Sequence, residues 1–303
     1  MSAGPLDSIR LQSGNSINWS IVRCGTPLNR FGIAAEKVVW RDADGTMTTC
    51  YVGADGHGFF RLWQDNEICV DFLPNHCLEI RAAEHVLEHS VEHFVADQAI
   101  PRAMADDGMF ILHAGGVRVG ADAILFMGQS GRGKSTLVAS FDKAGADLIG
   151  DDAMVISRTG LRHEVQSVYP SLRLFENSIE AVLSESAVSH AVTQQSSKRR
   201  IDIPLASTKA SAPRPIAALF TIAEANNTAK IRIRNLSIAE TCMAAIENSF
   251  LLNPSDVSRA RLQLSLASAL AREVPSFELS YPRDYARLPE VRETILSHIS
   301  NLH

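Results

Sequence analysis

The stretch Gly128-Gln-Ser-Gly-Arg-Gly-Lys-Ser135 stands between an apolar run, "AILFM", and the helix-like "KSTLVASFDKAG". This order restricts the fold more than any other feature of the chain. A strand must run into a glycine turn that opens directly onto a helix, so strand, loop and helix follow one another as in an α/β core. Gly128, Gly133, Lys134 and Ser135 meet the G-x-x-x-x-G-K-S spacing in full. Glycines let successive backbone N–H groups turn toward phosphate oxygens, and the start of the helix adds further unpaired donors. Gln129, Ser130, Gly131 and Arg132 complete the loop. On this reading Lys134 reaches the β and γ phosphates of a nucleotide and Ser135 supplies an oxygen to Mg2+. Thr136 stabilises the helix start or lies near the α phosphate.

Two further features flank the loop. Asp151 and Asp152 follow "ADLIG", a candidate strand, and face the loop if that strand lies beside the one feeding Gly128. One carboxylate then serves Mg2+ and the other accepts a proton or orients water, whereas adjacent acids elsewhere form a turn at a strand end. His113 sits upstream in "FILHAGG". It is either a core or backbone-bonded histidine or a group that meets the transferring phosphoryl, with the following glycines permitting a close turn near the phosphates.

The rest of the chain divides by pattern. Residues 1 to about 73 hold the short candidate strands "INWSIV", "KVVW", "TTCYV", "GFFRLW" and "EICVDFL", separated by turn residues, which predicts a small antiparallel region. From Leu78 to Ala105 a helix is expected, with Leu87, Val91, Phe94 and Val95 on its inward face. His85, His89 and His93 recur every four residues there, either as a solvated polar face with Glu84, Glu88 and Glu92 or as metal ligands. Later, "SLRLFENSIEAVL" predicts a strand entering a helix and residues 184–197 a surface loop. "APRPIAALFTIAE" and "AKIRIRNL" read as strands, and "SRARLQLSLASALAREV" and "RLPEVRETILSHI" as helices. The domains expected are 1–100, β-rich with a connecting helix, and 101–303, carrying the phosphate loop.

Composition closes off some classes. With 34 acidic and 29 basic residues the formal charge is −5, which offers no broad cationic surface for nucleic acid. Cys24, Cys50, Cys69, Cys77 and Cys242 lack short paired spacings, so reduced thiols are expected rather than a disulfide framework or zinc site. "MSAGPLDSIRLQSGNS" lacks a basic start followed by an apolar run, and no later stretch is apolar enough to span a bilayer. The expectation is a cytoplasmic protein without a membrane partner.

The combination "ILHAGGVRVGADAILFMGQSGRGKSTLVASFDKAGADLIGDDAMVI" resembles the catalytic core of the HPr serine kinase/phosphorylase family, especially its HPr-kinase-related branch. The resemblance rests on the histidine before the loop, the loop itself and the acid pair after its helix, across about residues 109 to 157. It implies a P-loop kinase core like that family's C-terminal domain, with ATP and Mg2+ used to phosphorylate a serine hydroxyl. Asp151 then resembles the residue handling the nucleophile's proton, Asp152 the metal-proximal acid and His113 an assistant near the transferred group. Glu176 in "LFENS" stands where a third acid of the Mg2+ site is expected, and Arg214 in "SAPRPIAAL" corresponds to a phosphate contact. The glycine expected after that Arg-Pro pair is absent, and this departs from the pattern of the phosphorylases.

The amino-terminal third is similar to that of kinases found with peptide-modification systems, so the acceptor expected is a hydroxyl on a peptide or protein. The alternatives are a small hydroxylated metabolite as acceptor, or an ATP-sensing protein without catalysis. Lys198, Arg199 and Arg200 are either an exposed charged face or a binding site for an acidic substrate. The resemblance also implies self-association into a homo-oligomer.

Overall fold

The structure is a computed structural model, and it describes residues 19–25, 36–43, 45–54, 57–169, 171–175, 178–179, 182, 189–191, 198–202, 212–224 and 230–302. The chain divides into two compact units. One comprises Met1–Gly108 with Leu251–Ala260, and the other Met109–Phe250 with Arg261–His303.

The first unit is built on a six-stranded sheet of β1 (Ser20–Arg23), β2 (Glu36–Arg41), β3 (Met47–Ala54), β4 (His57–Gln64), β5 (Ile68–Leu73) and β6 (Cys77–Ala82). Its order is β1-β6-β5-β4-β3-β2, antiparallel throughout except that β1 runs parallel to β6. Arg61 and Asp71 are direct cross-strand partners. Asp71 is 1% exposed and accepts from Arg61 Nε at 2.5 Å and Nη2 at 2.7 Å, and from Arg81 Nη1 at 2.5 Å. A carboxylate this deeply buried is tolerable only when paired, so slipping the register by one residue would strand the charge.

The helix expected from Leu78 begins later, at Glu88. Residues 77–82 form β6 instead, because Leu78 and Ile80 are buried while Glu79 and Arg81 are not, a period of two that a helix cannot satisfy. Helix α1 (Glu88–Phe94) widens into one π-helical segment at Val95–Ala99 and continues as α2 (Ile100–Asp106). Val91, Phe94 and Val95 are buried as expected, while Leu87 caps the helix and is exposed. Of the three histidines only His89 and His93 lie in α1. His85 precedes the helix and pairs with Glu67, whereas His93 is buried with Nδ1 2.6 Å from Asp97 Oδ2.

In the second unit the strands are β7 (Phe110–Leu112), β8 (Ala114–Val119), β9 (Asp122–Met127), β10 (Leu148–Gly150), β11 (Met154–Thr159), β12 (Arg162–Ser167), β13 (Ser171–Phe175), β14 (Ser189–Ala191), β15 (Lys198–Asp202), β16 (Arg214–Ile222), β17 (Arg232–Asn235) and β18 (Ser276–Ser280). The helices are α3 (Lys134–Lys143), α4 (Ile238–Glu247), α5 (Val257–Glu273), whose residues 257–260 are counted with the first unit, and α6 (Leu288–Ser300). A nine-stranded mixed sheet runs β10-β8-β9-β16-β12-β11-β7, with β18 beside β16 and β17 beside β18. Strands β9, β16 and β18 are parallel to one another. The separate sheet β13-β15-β14 is antiparallel, so the backbone of Ser189–Ala191, within the segment 184–197 expected to form a surface loop, is a strand.

"AILFM" is continuously apolar because β9 is covered on both faces. Ile124 and Phe126 belong to a core with Leu137 and Phe141 of α3 and Val291 and Ile295 of α6. Ala123, Leu125 and Met127 share the opposite core with Ala244 and Ala245 of α4 and Ala267 and Leu270 of α5. The five cysteines are free thiols. Burial pushes the Cys69 thiol up to about 11. Among the described residues, no helix is long and apolar enough to cross a membrane.

Candidate functional site

Strand direction decides what meets the loop. Parallel and antiparallel pairings place the start of β8, the end of β9 and the end of β10 at one edge of the sheet. Ala114 is level with Met127, and Gly150 with Gly116. His113 before β8, Gly128 after β9 and Asp151-Asp152 after β10 therefore emerge together. Strand β8 lies between β9 and β10, so the acids reach the loop from one strand further away than direct adjacency implies.

The loop takes conformations that favour glycine, with φ of 140° at Gly128, 80° at Gly131 and 86° at Gly133. Gly133 caps α3, and a Cβ placed there would stand 2.9 Å from Arg283 Nη1 and 3.0 Å from Tyr281 Oη. Lys134 is buried, and its Nζ donates to the carbonyls of Gly128 at 2.6 Å and Gln129 at 3.3 Å. The lysine thus closes the loop on itself. Arg132 Nη2 donates to Gln129 Oε1 at 3.1 Å. Thr136 Oγ1 lies 3.2 Å from Ser178 Oγ, which is 3.0 Å from the Tyr285 hydroxyl, so a chain of hydroxyls ties the start of α3 to the segment after β18.

His113 marks the break at which the chain leaves β7, paired with β11, for β8, paired with β9 and β10. Its Nε2 is 3.3 Å from Asp152 Oδ1. Asp151 and Asp152 are 2% and 6% exposed, and Asp152 has φ of 74°. The left-handed region is uncommon for a residue with a side chain, though aspartate tolerates it better than most. Here it carries the Asp152 carboxylate back toward His113. The glycines after His113 lie in β8, not in a turn. A Cβ on Gly115 would stand 2.7 Å from Val138 Cγ2 and 3.1 Å from Asp151 Oδ1, so glycine there lets α3 pack close and Asp151 sit beneath it.

Asn248, absent from the residues expected, joins these parts. Its side-chain Oδ1 accepts from Gly128 N at 3.1 Å, its Nδ2 donates to Ala244 O at 2.8 Å, and its carbonyl accepts from His113 N at 2.6 Å. Phe250 follows with its ring 6.2 Å from that of His113. No local pattern marks an asparagine 120 positions from its partner, although Ser237-x-x-Glu240 announces the start of the helix it ends. Asn248→Ala is expected to cost about 1–3 kcal/mol, because a buried N–H loses its acceptor. Thermal unfolding checks this, and an unchanged midpoint would show that Gly128 finds another partner.

Arg283 is likewise absent from the residues expected. It follows β18, donates from Nη2 to Ala223 O at 3.0 Å and holds its Cζ 4.5 Å from the centre of the Tyr281 ring. Burial pushes the Tyr281 phenol up, and the neighbouring guanidinium opposes that shift.

The structure does not bring Arg214 to the loop. Thr221 is level with Met127 at the loop end of β16, while Arg214 begins that strand seven residues earlier, roughly 23 Å away along an extended chain. Glu176 lies outside the described residues, as do residues 184–188 and 192–197 of the segment expected to form a surface loop.

No family model matches the chain. No curated protein matches it either. Among solved structures 53 chains match. One is the Hpr(Ser) kinase/phosphatase from Coxiella burnetii, 11% identical, with a TM-score of 0.35 over 64% of this chain and 99% of that one.

Proposed function

We propose that this chain is an ATP- and Mg2+-dependent kinase that transfers the γ phosphate to a serine-like hydroxyl of a peptide or protein. The observation that supports this reading is the meeting of a glycine phosphate loop, a histidine and two buried acids at one sheet edge, with His113 Nε2 3.3 Å from Asp152 Oδ1. Phosphoryl transfer asks a protein chiefly to position its reactants and balance charge, and these residue types supply both functions.

In this reading the loop N–H groups and Lys134 hold the phosphates of ATP, Lys134 exchanging the Gly128 and Gln129 carbonyls for phosphate oxygens. Asp151 takes the acceptor's proton as the hydroxyl oxygen bonds to the γ phosphorus and the bond to the leaving ADP oxygen breaks. His113 orients the Asp152 carboxylate. Mg2+ suits an oxygen donor set completed by phosphate and water, so Ser135 and Asp152 fit it in kind. When bound, it neutralises charge on the phosphates.

The same order of His113, loop and acid pair carries the resemblance to HPr-kinase-related proteins, and the β-rich first unit directs the acceptor reading toward peptides. The test is incubation with labelled ATP, Mg2+ and a native cell extract, followed by mass spectrometry of labelled products. One added phosphate on a peptide serine is the expected result. Label confined to a small metabolite, or released only as inorganic phosphate, would overturn the acceptor assignment.

A further inference from the structure

Sheet order gives the loop two unlike flanks. His113 and the acids arrive from β8 and β10 on one side of β9, whereas Arg283 arrives from β18, beyond β16 on the other side. β18 is parallel to β9 through β16, with Leu279 level with Ile222 and Thr221 level with Met127. The residues after β18 therefore emerge at the same sheet edge as the loop. A nucleotide whose γ phosphate faces Asp151 and whose phosphate chain runs across the loop would bring its nucleoside to the flank where Arg283 stands.

That flank is built for a planar partner. The Arg283 guanidinium is anchored by Ala223 O at 3.0 Å and lies over the Tyr281 ring, with Nη1 2.9 Å from where a Gly133 Cβ would be. Arg283 nonetheless remains exposed. Tyr285 is 39% exposed and is tied through Ser178 to Thr136 at the start of α3. A guanidinium held in one orientation stacks on an aromatic base, which a lysine ammonium cannot do in the same way.

We propose that Arg283 is the nucleoside-end contact of this site, stacking on the base rather than clamping the phosphates. The inference rests on the nucleotide reading above and adds a direction to it. The experiment measures binding of ATP, ADP and inorganic tripolyphosphate to wild type, Arg283→Ala, Arg283→Lys and Lys134→Ala. Both Arg283 variants are expected to bind ATP and ADP about 5- to 20-fold more weakly, with tripolyphosphate binding held within about twofold. Lys134→Ala is expected to weaken all three ligands. Arg283→Lys keeps a donor for Ala223 O, so it separates loss of the plane from loss of local structure. Equal losses for tripolyphosphate and ATP in the Arg283 variants would overturn the inference in favour of a phosphate clamp, as would unchanged ATP affinity. Wild type binding tripolyphosphate as tightly as ATP would remove the nucleoside contact while leaving the phosphate loop standing. Wild type binding none of the three would defeat both readings.

Discussion

Lys134→Ala is expected to weaken ATP binding by about 10- to 100-fold, the worth of a charge-assisted contact of about 1.5–3 kcal/mol. The lysine is buried and donates to the carbonyls of Gly128 and Gln129. Removing it therefore takes away the proposed phosphate ligand and also a tie across the loop. Calorimetric titration checks the affinity, and thermal unfolding separates a loosened loop from a lost contact. Unchanged ATP affinity in a folded variant would defeat the phosphate-loop assignment.

The second large effect concerns Asp151. Asp151→Asn preserves the shape packed against Gly115, where the carboxylate Oδ1 lies 3.1 Å from a Cβ position, but removes the basic oxygen. Transfer to the acceptor is expected to fall about 10²- to 10⁴-fold, the range for loss of general base catalysis. ATP affinity is expected to change less than about threefold, since in the proposed mechanism the acid acts on the acceptor's proton and not on the phosphates. Measuring transfer and nucleotide binding separately is the check. Transfer at the wild-type rate would remove Asp151 from the proposed mechanism.

Much of the local architecture was legible in residue patterns. "AILFMGQSGRGKS" specified a buried strand, a glycine turn and a helix because each has its own constraint: two covered faces, positive φ, and a helix start with unpaired donors. The short strands of the first unit were legible for a similar reason, since β-rich runs between turn residues leave few other options. "CLEIRA" misled because the helical run downstream overlaps its alternating pattern, and the two periods compete within a few residues. The expected turn at Gly115-Gly116 failed because glycine serves close packing as well as turning. Here a strand needed space for Val138 and Asp151.

The sequence by itself determined that a strand, glycine loop and helix follow one another, since those are local consequences of φ/ψ freedom and hydrophobic period. It also set His113 and the acid pair near the ends of strands. Only the tertiary structure decided which ends those are. Strand direction and order bring His113, Gly128 and Asp152 to one edge while leaving Arg214 at the far end of β16. Asn248 and Arg283 reach the loop in the same way, because pairing in a sheet joins residues more than a hundred positions apart and no local period records which strands will become neighbours.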